Sequence, residues 1–226
     1  MRRSFLASNR LPIDERVLRV LLAGALCGLV AVGVAMARTP IAQPEPIVIP
    51  PPDFVLEMSS DGRTLAFSGT VDHGLTAALR AALAAHPQIR RVTLDSNGGN
   101  IYEARGAVRV LREHRLDTRV DRHCASACAL IFVGGHAREL APDARLGFHG
   151  YRIATERHFG MVDPDREMQR DLAIYRAQSI DEGFVQRLGA LPVNPMWYPD
   201  HAALRLAGVT TAPGGLAPTR PTADMH

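Results

Sequence analysis

The stretch HCASACALIFVG, His123 to Gly134, sets a serine between two alanines and two cysteines, then runs without a charge into a glycine pair. An apolar run of this length that stops at Gly134-Gly135 reads as a helix, with Ser126 at its start. Serine is a favoured helix N-cap, which is one reading of Ser126. The other is a nucleophile. Free backbone N–H groups and the positive end of a helix stabilise negative charge at that spot, as an oxyanion requires. Ala125 and Ala127 leave room there for a substrate carbonyl.

Upstream, VLEMSS and TLAFSGTV read as short strands around an Asp61-Gly62 turn, a strong hairpin signal. HGLTAALRAALAAH carries Ala and Leu at helical spacing and ends before Pro87. RRVTLDS is a strand, NIYEARGAVRVLREH a helix and LDTRVDR a strand; downstream, ELAPDARLGFHG brings a further strand to a glycine, and Asp163 to Leu188 reads as one long helix. Strand and helix alternate, so the expected class is α/β with a mostly parallel sheet and crossover helices. In such sheets the loops leaving the carboxyl ends of strands carry the ligand site.

Three informative stretches fall on such loops. DSNGG, Asp95 to Gly99, places two glycines between a strand and a helix, where the backbone can turn sharply and aim N–H groups at an anion. Ser126 opens the next helix. His149, in LGFHG, lies near the end of the following strand, 23 residues after Ser126. A serine hydroxyl is a poor nucleophile until a base accepts its proton, and histidine is the side chain whose pKa suits that task near neutrality. Each feature alone has an ordinary structural explanation: a turn, a cap, a surface histidine. Their joint order is what carries the reading.

That order resembles the Clp-type serine peptidases of the wider Clp/crotonase superfamily: a Ser-Pro-Gly-Gly loop, a nucleophilic serine among small residues opening a helix, and a histidine about two dozen residues later. The corresponding residues are Ser96-Asn97-Gly98-Gly99, Ala125-Ser126-Ala127 and Phe148-His149, within a similarity spanning about Phe54 to Thr211. Taken with the N-terminus described below, the match is closest to membrane-anchored or periplasmic Clp-like proteins of bacteria. The resemblance implies a spiral of repeated ββα units and an acyl-enzyme mechanism on a peptide or protein substrate, or on an ester. It implies Ser126 as nucleophile, His149 as general base, and the N–H groups of Gly99 and Ala127 as the oxyanion hole. Relatives assemble through the sheet edge and the long helix, which leaves a homo-oligomer open. Asn97 stands where the family has proline. The family's third member is an aspartate after the long helix; here Asn194 is nearest the expected place and Asp200 lies farther on. An asparagine orients an imidazole but stabilises its charged form less, so a catalytically impaired binding or scaffold protein is the alternative.

Composition excludes several classes. All 26 Lys+Arg positions are arginine, so neither a Ser-Lys pair nor a Schiff-base lysine can be built from this chain. A formal charge of +3, arginines spread along the chain and 5% aromatic residues make no nucleic-acid footprint. No cofactor is expected.

The N-terminus speaks to compartment. Arg2, Arg3, Arg10, Arg16 and Arg19 precede the uncharged run Val20–Ala37, 18 residues long. A basic leader before an apolar segment places the N-terminus in the cytoplasm and the rest outside it. The run sits at the low edge of what spans a bilayer, while Ala35-Met36-Ala37 forms an A-x-A cleavage pattern, so an anchor and a removed signal peptide both stay open. The expected layout is a leader over residues 1–16, an inner-membrane anchor or signal over 17–37, a proline-rich linker over 38–53, an extracytoplasmic α/β domain over 54–212 and a loose tail over 213–226. Cys124 and Cys128 flank Ser126 in what is then an oxidising space. A disulfide between them would fix the turn, but helical i,i+4 geometry disfavours the bond. A zinc site on His123, Cys124 and Cys128 matches no common ligand spacing, so no metal is expected.

Overall fold

The computed structural model describes residues 51–151 and 163–211, together with residues 16, 19–21, 23 and 24. It divides into two units, Met1–Ile49 and Pro50–His226. In the first, the described residues are helical and Val20 and Leu21 are exposed. Among the described residues no helix is long and apolar enough to cross a membrane. The expected anchor or signal lies almost wholly outside them, as do nearly all of the linker and the tail.

The second unit is an α/β fold. Strands β1 (Phe54–Met58) and β2 (Thr64–Gly69) form the antiparallel hairpin, turning at Gly62 with φ 66°. Helix α1 (Leu75–Ala85) presents Leu75, Leu79 and Leu83 inward at i,i+4 spacing and ends at His86, before Pro87. Strand β3 (Arg91–Ser96) alternates buried Val92, Leu94 and Ser96 with half-buried residues. Helix α2 (Ile101–Glu113) is capped by Asn100, whose side chain accepts from Tyr102 N and Glu103 N. Strand β4 (Asp117–Ala125) leads to helix α3 (Ala127–Val133), every residue of which is buried. A helix apolar on all sides belongs inside a core.

The sheet order is β1-β2-β3-β4 and then β5, which is Arg138–Leu140. Every pairing from β2 onward is parallel, leaving β1 as the antiparallel edge. Where the sequence suggests one strand after α3, there are two short ones: β5 (Arg138–Leu140) pairs with the first half of β4, and β6 (Arg145–Gly147) pairs with its last three residues. Between Leu94 and Ser96 the register of β3 against β4 shifts, so that Leu94 faces Val120 while Ser96 faces Cys124. Such irregularities re-aim side chains near sites, and this one lies immediately before both the glycine loop and Ser126.

The expected single helix over Asp163–Leu188 is instead two, α4 (Pro164–Ala177) and α5 (Glu182–Gly189). The break falls at Ser179, whose φ is 58°, and Asp181 caps the new helix by accepting from Phe184 N. A short helix α6 (His201–Leu206) follows, capped by Asp200 through Ala203 N. The chain between α5 and α6 returns to the sheet end, where Phe148 and Trp197 exchange backbone hydrogen bonds of 2.8 and 2.7 Å. Phe148, Tyr175, Phe184 and Trp197 pack ring against ring there, joining α4 and α5 to the end of the sheet.

Candidate active site

Strand β4 passes into α3 with almost no linking chain, and Ser126 absorbs the whole change of direction. Its backbone sits at φ 57° and ψ −126°. For a residue with a Cβ this is a sparsely populated conformation costing ~1–3 kcal/mol, and such strain gathers at functional positions. The turn is held on both sides: Ser126 N donates to Gly147 O of β6 at 2.9 Å, and Ser126 O accepts from Ala129 N at 2.9 Å to start the helix. The hydroxyl makes no capping hydrogen bond. It donates instead to His149 Nε2, at 2.7 Å. The cap reading of Ser126 therefore does not describe the hydroxyl.

His149 stands two residues beyond β6, on the segment that pairs with Trp197. Its Nδ1 lies 2.6 Å from the carbonyl oxygen of Gly150. A carbonyl oxygen only accepts, so Nδ1 carries the hydrogen. In the neutral ring Nε2 then holds the lone pair that faces the serine hydroxyl. This is the tautomer a general base needs. The partner behind the ring is thus a main-chain carbonyl and not the Asn194 or Asp200 side chain expected there. Asn194 is exposed and makes no hydrogen bond to His149 among the described residues, and Asp200 is engaged in capping α6. The structure brings Ser126, His149, Gly99 and Ala127 together; it does not bring Asn194 to them.

The glycine loop faces the same point. Gly98 and Gly99 both have positive φ, 102° and 145°. Val71 N donates to Gly98 O and Asn100 N donates to Val71 O, so the loop is tied to the chain after β2 on one side. In a parallel bridge of this kind the amide of the intervening residue points the opposite way, and Gly99 lines the cavity that holds Ser126. Ser96 Oγ accepts from Gly98 N at 3.0 Å, steadying the loop from below. A Cβ on Gly98 would lie 2.7 Å from Ser126 Cβ, so glycine is what allows the loop to reach the serine. Ala127 is the first residue of α3, and its amide has no partner within the helix. Neither the Gly99 nor the Ala127 N–H has an acceptor among the described residues. Two unused donors thus stand beside a hydroxyl polarised by an imidazole, which is the equipment for acyl transfer.

Cys124 and Cys128 form a disulfide that brackets Ser126, with Cα atoms 5.3 Å apart. The objection from helical spacing does not apply, because Cys124 belongs to the strand and only Cys128 to the helix. Closing so short a loop constrains the unfolded chain by about 2 kcal/mol. Reduction of the purified domain should accordingly lower its melting temperature by roughly 4–8 °C, readable by circular dichroism with and without reductant. An unchanged melting curve, with free thiols verified by mass, would show that the bond does not brace the fold. Among the described residues no group of His, Cys, Asp or Glu is placed to hold a metal ion.

The cavity beside Ser126 has a volume of about 160 Å³, with walls from the glycine loop, α3, the His149 segment, α4 and α5. Four of its wall residues are Leu130, Met168, Leu172 and Leu188, but Asp171 stands among them. Sequence reasoning passes over Asp171 and its partner Arg105. Their signal is present nonetheless: Glu167 and Asp171 fall at i,i+4 on the same face of α4 as buried Leu172 and Tyr175, and carboxylates on a core face call for an explanation. Arg105 supplies it in part, its Nε donating to Asp171 Oδ1 at 2.5 Å and its Nη1 to Glu167 Oε2. Burial pushes Asp171 up to about 6 even though Arg105 pulls the other way. Burial also disfavours the Arg105 charge, but the bonds to Asp171 and Glu167 outweigh it and hold the guanidinium above its ordinary value. Burial, aided by the Asp171 charge, drives the Tyr175 phenol far above its usual range.

The chain matches no family model and no curated protein. Among solved structures, a mutant of ClpP1 from Listeria monocytogenes aligns over 66% of this chain and 90% of its own, with a TM-score of 0.55 and 14% sequence identity. At that identity the likeness is one of fold: the chain has a Clp-like α/β architecture with a mostly parallel sheet.

Proposed function

We propose that this chain is a serine hydrolase of peptidase type, exported and held at the inner membrane by its N-terminal segment, that cleaves peptide or ester bonds through an acyl-enzyme. The observation that carries this reading is the 2.7 Å hydrogen bond from Ser126 Oγ to His149 Nε2 beside two unoccupied amide donors. In the proposed reaction, His149 Nε2 takes the hydroxyl proton as Oγ attacks the substrate carbonyl. The developing oxyanion is received by the N–H groups of Gly99 and Ala127. The imidazolium returns its proton to the leaving amine or alcohol, and water then cleaves the acyl-enzyme by the same route. The Gly150 carbonyl orients the ring and accepts from its Nδ1–H throughout. Export is supported by the basic leader before an apolar run and by the Cys124–Cys128 disulfide, since cytosolic thiols are kept reduced. The Clp-like fold supports the peptidase type, and it leaves assembly into a homo-oligomer as part of the same proposal.

A second reading is favoured by one observation. The acceptor behind His149 is a neutral carbonyl rather than a carboxylate, which stabilises an imidazolium less. A binding or scaffold protein that has kept the fold would show this too. Turnover separates the two. The purified domain should hydrolyse activated acyl esters and short peptide amides, with the activity lost in Ser126→Ala. Equal turnover by wild type and variant, or none by either, would leave only the second reading.

A further inference from the structure

The cavity beside Ser126 holds a carboxylate for which the acyl-transfer steps have no use. Asp171 is only 4% exposed. One of its oxygens, Oδ1, is taken by Arg105 Nε; Oδ2 carries no hydrogen bond among the described residues, and Asp171 contributes to the cavity wall. The apolar side chains of Ile101, Leu130, Phe148, Met168, Leu172 and Leu188 share the lining with it. Burying a carboxylate is costly unless its charge is matched.

Among the described residues, the groups facing Asp171 give a donor to Oδ1 alone. Arg105, from α2, divides its donors: Nη1 goes to Glu167 Oε2, Nη2 to Glu167 O at 2.9 Å and to Tyr151 OH at 3.4 Å, and only Nε goes to Asp171. Two carboxylates whose side chains are 7% and 6% exposed thus share the half-buried guanidinium of Arg105. Arg170, a second cation among the described residues, binds Glu167 Oε1, and its side chain is 52% exposed. Tyr175 packs close enough for its phenol to feel the Asp171 charge and adds no positive charge. Among the described residues, Asp171 Oδ2 is thus left without a donor, in a residue that lines the cavity.

We infer that the cavity is the specificity pocket for the acyl residue of the substrate and that it takes a side chain with an apolar stem and a cationic end, lysine- or arginine-like, whose terminal N–H groups donate to Asp171 Oδ2. This rests on the hydrolase reading for its role in catalysis, though not for the binding it asserts. The stem packs against Leu130, Met168 and Leu172, while the cationic end supplies the donor that Asp171 Oδ2 lacks among the described residues. Buried charge-assisted hydrogen bonds of this kind discriminate strongly against analogues that cannot make them, because the pocket's own polar group is then left unpaired.

The test uses binding, so that it does not depend on turnover. N-acetyl-lysine methylamide, its norleucine counterpart and its glutamate counterpart are titrated into the full chain carrying Ser126→Ala, by calorimetry at neutral pH. The lysine compound is expected to bind at least ~10-fold more tightly than the norleucine compound, and the glutamate compound most weakly. In Asp171→Asn the lysine preference should fall towards unity. Equal binding of lysine and norleucine compounds, or a preference for norleucine, overturns the inference; this comparison is made on native Asp171 and stands whether or not Asp171→Asn folds. A lysine preference that persists undiminished in a folded Asp171→Asn overturns it as well. Should the preference be present while wild type hydrolyses nothing, the hydrolase reading fails and the pocket assignment survives. Hydrolysis with no such preference gives the reverse.

Discussion

Replacing His149 by alanine is expected to slow the reaction of Ser126 with an acylating or phosphonylating reagent by a factor on the order of 10²–10⁴, the usual contribution of a positioned general base. The size follows from the tautomer. With Nδ1–H held by the Gly150 carbonyl at 2.6 Å, the neutral ring presents a lone pair to Ser126 and has no freedom to present anything else. Removing the ring leaves an ordinary alcohol, whose proton must go to water. The fold should be little affected, because the only hydrogen bonds described for the imidazole are those two. An unaltered melting curve with a large loss of reactivity is thus the expected pair of results. A loss below threefold in His149→Ala would mean that the imidazole does not act as base, however close it stands.

Gly99→Ala should have a comparably large effect for a different reason. At φ 145° an alanine is strained, and its Cβ would fall 2.3 Å from Val71 O, so the loop has to move. Moving it withdraws the Gly99 amide from Ser126. Loss of one oxyanion donor costs about 10²–10³ in turnover, and the strain adds a stability loss of ~1–3 kcal/mol visible in denaturant titration. Gly74→Ala is the matched control: φ there is 85°, but a Cβ meets nothing within 4 Å, and the residue precedes α1 without lining the cavity. It should be destabilised alone, with turnover per folded molecule retained. If Gly99→Ala keeps full turnover, the Gly99 amide is not an oxyanion donor.

The proximity of Ser126, Gly99 and His149 is legible in the sequence because all three lie where chain direction reverses. Ser126, Gly99 and His149 each follow a parallel strand, and the apolar run Ala127–Val133 marks the helix that Ser126 opens. What could not be read is instructive. The partner of His149 Nδ1 is a backbone carbonyl, and every residue has one, so no residue type advertises it, and the side chain expected in that place, Asn194, does not supply it. The division of the long helix has only a weak sequence mark, the capping residue Asp181, since Ser179 takes its φ of 58° without being glycine. The spacing of Cys124 and Cys128 argues against a disulfide only if both lie on one helix. Once β4 is seen to continue to Ala125, the turn at Ser126 brings them together. Asp171 and Arg105 were overlooked because an acidic pair on a polar-apolar helix looks like its solvated face; their ion pair depends on contact with α2, 66 residues away in sequence.

The most direct measurement is to treat the purified chain with a fluorophosphonate and locate the adduct by peptide mass spectrometry. A single phosphonylated peptide spanning His123–Phe132, with the modification on Ser126 and none in Ser126→Ala, is the expected result. No adduct on a folded chain, or an adduct on another residue that persists in Ser126→Ala, would contradict the assignment of Ser126 as the nucleophile.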